Sequence, residues 1–387
     1  MSEPDDIRPF RIDIPQADLD DLADRLARTR WANELVLEVD PTAAPAGPVP
    51  PGWEYGVPVG FVRDMVERWR TGYDWRSWEA KLNTHPQFTT EIDGQDVHFL
   101  HVRSPEPNAI PLILTHGWPA SVVEYLGLIG PLTDPVAHGG DAADAFHVVI
   151  PSIPGFAFSG PTTQPGWSRY RIARAWVELM GRLGYDRFGA HGNDAGSNIS
   201  PEVGRVAPDQ VIGVHVTQVF SFPSGDPAEF AGLSEEDMAA LQFLQWFNEN
   251  MSGFAQLQGS APQNAAHSLS DSPAGQLAWS AQLLGGTDPE FLLTNATIYW
   301  LTNTSASSGR LYYEDQHAKH PSEPTTVPLG LANFAYDMKS IRRFADRDHA
   351  NIVSWNVYDR GGHWATDDAP DLLVEDLRGF YRRFRDA

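Results

Sequence analysis

The residues whose types and spacing point most directly to chemistry are His191-Gly192-Asn193-Asp194-Ala195-Gly196-Ser197. They follow the apolar run RFGA and precede a segment with a helical pattern. This is the small-x-nucleophile-x-small arrangement of a sharp strand-to-helix turn, which lifts one side chain above a sheet. Small residues flank such a turn because the backbone passes too close for a Cβ atom. The slot holds Asp194, not serine. Ser197 cannot take it, since two positions on stands Ile199, and no other G-x-S-x-G occurs. Taken alone, the segment reads equally as a turn whose aspartate caps the next helix.

Three further pieces weigh against the plain turn. Thr115-His116-Gly117-Trp118-Pro119 follows the apolar run PLILT, and a turn there can pair the Trp118 amide with that of Ala195 as an oxyanion hole. An ordinary Gly-Pro turn is the competing reading. Gly361-Gly362-His363-Trp364 follows NIVSWNV, a suitable setting for a catalytic base, and Asp337 lies just past PLGLANF, 26 residues before His363. Singly, a loop aspartate is more often a turn former. Nucleophile, acid, histidine is nevertheless the α/β-hydrolase order. A carboxylate nucleophile then restricts the substrate. Attack by Asp194 on an sp³ carbon forms an alkyl ester, so the leaving group is a strained ether or a halide, and His363 oriented by Asp337 activates water against that ester. The oxyanion of the second step forms on Asp194 itself, within reach of the Trp118 and Ala195 amides. A serine in the same slot would make an esterase.

The elements that must position these groups show in the hydropathy pattern. From about residue 110, PLILT, FHVVI, RFGAH, VIGVHV, PLGLANF and NIVSWNV alternate with helical segments, one of them Ile172–Leu183. Buried strands alternating with helices imply βαβ units and a mostly parallel, doubly wound α/β sheet. The rhythm fails between 220 and 325, where a helical cap over the site is expected. Before it, Leu19, Leu22 and Leu26 form one apolar stripe. Phe61, Met65 and Trp69, with Val62 and Val66 beside them, form another. Asp93-Gly94 marks a hairpin, and the proline-rich run Pro41–Trp53 reads as an extended strap. A final helix carries Leu373, Leu377, Phe380 and Phe384 on one face. The expected organisation is an N-terminal segment over 1–105, a first core part over 106–219, a cap over 220–325 and a second core part over 326–387.

Composition narrows the function classes. Hydrophobic residues make up 42% and charged ones 20%, enough apolar material for a core. Lys+Arg is 28 against Asp+Glu 51, a formal charge of −23, which speaks against nucleic-acid binding and polybasic membrane docking. There is no cysteine, so disulfides and cysteine-held metals are excluded. The start lacks a signal-peptide pattern and no run approaches the roughly 18 apolar residues of a membrane span; a cytoplasmic protein is the expectation. Only Lys81, Lys319 and Lys339 are lysines, a skew that hints at a GC-rich bacterial genome. His317 and His320 have metal-compatible spacing without an evident third ligand and read as a solvated loop.

Nearly end to end, the chain resembles the microsomal-type epoxide hydrolases in their soluble bacterial form. The resemblance is carried by YDWRSWEAKLNTHPQFTTEIDGQDVHFLHVRS, LILTHGWPASVVEYLGLIGPLTDP, VVIPSIPGFAFSG, the aspartate elbow, SDSPAGQLAW and RGGHWA. It implies an α/β-hydrolase fold with a helical cap, no cofactor, and a small-molecule epoxide and water as reactants. It also implies Asp194 as nucleophile, Asp337 and His363 as charge pair, and Trp118 as donor of an oxyanion-hole amide. The family uses two cap tyrosines to protonate the epoxide oxygen. One falls on Tyr312 in SSGRLYYED, with Tyr313 the alternative. The other departs, because the family's G-Y-x-x-I-Q reads here Gly253-Phe254-Ala255-Gln256-Leu257-Gln258. Either Tyr312 works alone, or Tyr299 or a water substitutes, with consequences for the regiochemistry of attack. Ala195 stands where many relatives carry tryptophan, which implies room for a bulkier substrate. Phe254, Trp246 (with Phe247) and His116 are expected to line the pocket. Relatives serve detoxification, catabolism or natural-product tailoring, for instance of enediynes. A haloalkane-type dehalogenase shares the Asp–His chemistry, yet Ala195 offers no indole for a halide. A noncatalytic ligand-binding protein is disfavoured by Asp194, Asp337 and His363 standing together. The proline-rich strap has the length to embrace its own core or a second copy, which leaves a homodimer open.

Overall fold

The structure, a computed structural model, describes residues 6–35 and 52–385. Of the proline-rich strap expected over Pro41–Trp53, only Gly52 and Trp53 fall inside the described residues; the Trp53 ring packs edge-on against Phe61 at 5.1 Å.

Nine strands form one sheet: β1 (Arg8–Phe10), β2 (Gln87–Ile92), β3 (Gln95–Val102), β4 (Ile110–Thr115), β5 (Phe146–Pro151), β6 (Phe188–Gly192), β7 (Val211–Val216), β8 (Leu329–Asn333) and β9 (Ile352–Val357). Their spatial order is β1-β2-β3-β5-β4-β6-β7-β8-β9. Pairings from β5 to β9 are parallel, and those among β1, β2, β3 and β5 antiparallel. The apolar runs read as strands are these strands, because a sheet covered on both faces buries every residue of its central strands: β6 is buried throughout. Asp93 and Gly94, at φ 51° and 75°, make the two-residue turn between β2 and β3. That hairpin pairs through β3 with β5, so the sheet runs without a break across residue 105.

Before the parallel strands lie α1 (Gln16–Ala27), α2 (Val59–Thr71) and α3 (Trp75–Leu82). α1 buries Leu22 and Leu26, with Leu19 packed alongside. α2 turns Val62, Val66 and Trp69 fully inward and leaves Phe61 and Met65 half-buried. All five residues of the predicted face thus pack on the core, Val62, Val66 and Trp69 most deeply. α4 (Leu126–Thr133), α5 (Arg169–Arg182) and α6 (Ala195–Val206) are crossovers of the core.

Between β7 and β8 stand six helices: α7 (Glu235–Asn250), α8 (Gly253–Ser260), α9 (Pro262–Leu269), α10 (Pro273–Leu284), α11 (Pro289–Leu301) and α12 (Ser305–His317). α13 (Arg342–Asp348), the short α14 (Ala365–Asp368) and α15 (Pro370–Tyr381) complete the core, and α15 presses Leu373, Leu377 and Phe380 onto the sheet. The Trp118 indole donates to the Ser308 hydroxyl at 3.2 Å, a bond from the loop after β4 to α12 of the cap. Among the described residues, no helix is long and apolar enough to cross a membrane.

Candidate active site

The elbow between β6 and α6 sets the site. Asp194 sits at φ 51°, ψ −115°, a strained conformation for a residue with a side chain. The positions two residues to either side must be glycines on steric grounds alone. A Cβ on Gly192 would lie 2.1 Å from the Gly196 carbonyl, and one on Gly196 would lie 1.9 Å from the Thr115 oxygen. Gly196→Ala therefore forces β4 and α6 apart and is expected to destabilise the fold by about 3 kcal/mol or more. Chemical denaturation checks this, and a loss under about 1 kcal/mol would contradict so close an approach.

Thr115 ends β4, and the loop after it passes over Asp194. Gly117 is required here too, since a Cβ would come within 2.5 Å of the Asp194 Cβ. The Trp118 backbone N–H donates to Asp194 Oδ1 at 2.8 Å. Ala195 opens α6, where first-turn amides have no helical partner, and among the described residues nothing accepts from its N–H.

From the C-terminal ends of the last two strands come Asp337, after β8, and His363, after β9. His363 Nδ1 donates to Asp337 Oδ1 at 2.8 Å, while His363 Nε2 stands 3.4 Å from Asp194 Oδ2. Burial pushes the imidazole pKa down, but the Asp337 and Asp194 carboxylates outweigh it and hold the pKa well above the ordinary histidine value. With 28% of its side chain exposed, His363 is open to water.

An aromatic wall faces the carboxylate. Trp118 and Phe254 stack at 5.2 Å with 9° between planes, and the Tyr312 ring stands edge-on to both, at 5.8 and 6.0 Å. Among the described residues, none hydrogen-bonds the Tyr312 hydroxyl. Burial first, then the Asp194 charge, pushes that phenol well above its ordinary pKa, so it stays a proton donor. Tyr299 is differently placed, its hydroxyl being donated to the Ala120 carbonyl at 2.8 Å. Tyr313 points outward and stacks on His317 at 4.0 Å.

One residue expected in the pocket, His116, is taken up by the backbone instead. His116 is fully buried, with Nδ1 on the Gly117 carbonyl at 2.9 Å and Nε2 taking the Ile153 N–H at 3.2 Å. Its burial lowers the pKa to about 4; both nitrogens serve the backbone and neither is left for a substrate. Trp246 stacks on Phe243, itself exposed, at 6.0 Å and 27°. Phe247 also packs on Phe243, at 6.4 Å, and on its other side meets the large apolar cluster that contains Trp118 and Phe254. Among the described residues no group of acidic or histidine side chains could hold a metal ion. His317 and His320 belong to none: His317 bonds the Tyr313 carbonyl and His320 the Tyr170 hydroxyl.

Sequence reasoning missed Glu124 and Gln218. Glu124 is buried and accepts the Gly117 N–H at 3.0 Å. Its pKa is pushed up to about 8, chiefly by burial and then by Asp194, against the hydrogen bond from the Gly117 N–H. Its surroundings thus favour the protonated acid beneath the loop that follows β4. The available signal was a lone carboxylate in the apolar run VVEYLGLIGPL. Gln218, just beyond β7, reaches both Asp194 and Asp337; nothing local to its sequence marks it.

Comparisons with known proteins agree with this architecture. Residues 7–125 match the family described as epoxide hydrolase N terminus, and residues 110–370 match the α/β-hydrolase fold. A protein of Stigmatella aurantiaca named "Putative epoxide hydrolase" is 41% identical over 98% of this chain and 86% of its own. Epoxide hydrolase 1 of Sus scrofa is 30% identical over 98% of this chain and 89% of its own. Among solved structures, the Aspergillus niger epoxide hydrolase aligns with a TM-score of 0.83 at 27% identity, over 98% of this chain and 97% of that one.

Proposed function

The chain belongs to the microsomal-type epoxide hydrolases on an α/β-hydrolase fold, and from that premise we propose that it opens a small-molecule epoxide to a vicinal diol through an ester on Asp194. The observation that carries the reading is the division of labour at that carboxylate. Oδ1 is held by the Trp118 N–H and Oδ2 faces His363 and the pocket. Oδ2 attacks an epoxide carbon, the carbon–oxygen bond of the ring breaks, and the Tyr312 hydroxyl gives its proton to the departing oxygen. Oδ1 then becomes the carbonyl oxygen of the ester, already on the donor that will meet its negative charge. Ala195 supplies the second amide.

Esterification also switches the base on. Once Oδ2 is alkylated, Asp194 loses its charge and one of the two anions that retain the His363 proton is gone. The imidazole can release that proton and then accept one from water as the water attacks the ester carbon. Collapse breaks the acyl–oxygen bond, the departing alkoxide takes a proton from the His363 imidazolium to give the diol, the new Asp194 carboxyl returns its proton to the imidazole, and the Tyr312 phenolate regains its proton through solvent. The small side chain of Ala195 on the pocket wall supports a bulky epoxide, and so a role in tailoring a natural product ahead of detoxifying small epoxides.

Single turnover in ¹⁸O-water with enzyme in excess tests the ester. Hydrolysis at the Asp194 carbonyl leaves the first diol unlabelled and puts ¹⁸O into the protein, whereas a labelled first diol would mean that water attacks the epoxide directly. Tyr312→Phe should slow ester formation by about 10²–10⁴-fold, the usual contribution of a positioned acid, as followed by stopped-flow tryptophan fluorescence. An ester-formation rate within a few-fold of wild type would assign protonation to another group.

A further inference from the structure

Gln218 is completely buried, and its side-chain amide is used in full. Oε1 accepts the backbone N–H of Asp194 at 2.8 Å, and Nε2 donates to Asn193 Oδ1 at 2.9 Å and to Asp337 Oδ2. The orientation of the amide is unambiguous, because a backbone N–H only donates and a carboxylate only accepts. Each contact matters to a different part of the site. Among the described residues no backbone carbonyl takes the Asp194 N–H, so at a residue already strained to φ 51° this buried donor depends on Gln218. Asp337 uses Oδ1 for His363 Nδ1 and for the Met338 N–H. Gln218 holds the other oxygen and with it the rotation of the carboxylate.

We infer that Gln218 is a positioning residue of the reaction, one side chain that ties the backbone of the nucleophile to the acid behind His363. The inference rests on the epoxide-opening reading given above, in which the hydrolytic step depends on the Asp337–His363 alignment. Its sharpest consequence concerns pH. A protonated glutamic acid carries one acceptor oxygen and one O–H donor, the same pattern along the Asp194–Asp337 direction as the glutamine amide. An ionised one keeps the acceptor but turns a charge toward Asp337.

Gln218→Met is similar in length and offers neither group. It should reduce the rate of ester hydrolysis roughly 10–100-fold, the scale of leaving buried partners unpaired. Ester formation should fall less, so kcat and KM drop together and ester accumulates. Gln218→Glu should approach wild type at acidic pH and lose ester hydrolysis as pH rises and the introduced carboxyl ionises. That slope is opposite to the wild type, where loss of the His363 proton favours hydrolysis. The ionisation lies above the ordinary carboxylate range, since burial and the Asp337 charge both oppose it.

The experiment is stopped-flow separation of ester formation and hydrolysis against pH for wild type and both variants, with the His363 Nδ1 proton resonance followed by NMR in the substrate-free proteins. The inference predicts a reversed pH slope for Gln218→Glu and a broadened or lost resonance in Gln218→Met. It is overturned if Gln218→Met hydrolyses ester within twofold of wild type. It is equally overturned if both variants lose thermal stability while the pH profile and the resonance keep the wild-type form, which is what mere packing would give. Should Gln218→Met fail to fold, the pH slope of Gln218→Glu decides. A wild type that forms no ester removes the epoxide reading and this inference together. A wild type that does, with an unaltered Gln218→Glu profile, removes only this one.

Discussion

Asp194→Asn should reduce diol formation by about 10⁴-fold or more, the scale seen when a covalent nucleophile is removed. The change is isosteric, so the elbow, its φ of 51° and its flanking glycines are undisturbed and the protein should fold. Three things are lost together. An amide is a poor nucleophile towards an sp³ carbon, no carboxylate remains to become an ester, and the anion beside His363 is gone. The Trp118 N–H, now donating to Oδ1 at 2.8 Å, also requires the amide oxygen to turn toward it, which directs the NH₂ group at the pocket. Initial rates on a reactive aryl epoxide, with a folded-state check by circular dichroism, measure the effect. Activity that grows during storage, with peptide mass showing return of the acid, would indicate deamidation and support the assignment. Prompt activity within tenfold of wild type would remove Asp194 as nucleophile.

His363→Gln should form one equivalent of ester and stop. In the proposed scheme ring opening needs the Asp194 carboxylate and the Tyr312 proton, and neither comes from His363, whereas hydrolysis needs a base that the glutamine does not provide. Intact mass after incubation with styrene oxide should rise by the mass of one epoxide, and peptide mapping should place it on Asp194. Protein without adduct, under conditions where wild type makes diol, would contradict the two-step scheme. In the wild type, the same base sets the sign of the pH response. The Asp337 and Asp194 side chains beside it outweigh burial and raise the His363 pKa well above the ordinary value. Esterification neutralises one of these side chains and lowers the pKa. Ester hydrolysis should therefore rise with pH as the remaining proton leaves and level off above that pKa. A rate constant for ester hydrolysis that does not change between about pH 6 and 9, a window about the ordinary histidine pKa, would exclude the imidazole as the base.

Glu124 extends the picture beyond the three charged groups. A carboxyl whose surroundings favour the protonated acid can sit beneath the loop that follows β4 without adding a third negative charge to the pair at Asp194 and Asp337. It secures the Gly117 N–H, and Gly117 is the residue that lets the Trp118 amide close on Oδ1.

What the chain's residue order determined by itself was local or periodic. The Asp194 slot, its glycines, the Asp93-Gly94 turn and the strand runs were legible because each depends on backbone sterics or hydropathy within a few residues. The order Asp194, Asp337, His363 was legible because a parallel sheet delivers the ends of its strands to one edge, so elements far apart in sequence have only a few places to meet. Only the tertiary structure decided which of Tyr299, Tyr312 and Tyr313 keeps a free hydroxyl against Trp118 and Phe254, since Tyr313 turns outward and the Ala120 carbonyl that captures Tyr299 is 179 residues away. It also decided that both nitrogens of His116 are absorbed by the backbone. Gln218 belongs to the same class. An amide becomes part of the site only when folding brings a nucleophile's N–H and an acid's free oxygen to its two ends, and no pattern within a single segment encodes that meeting.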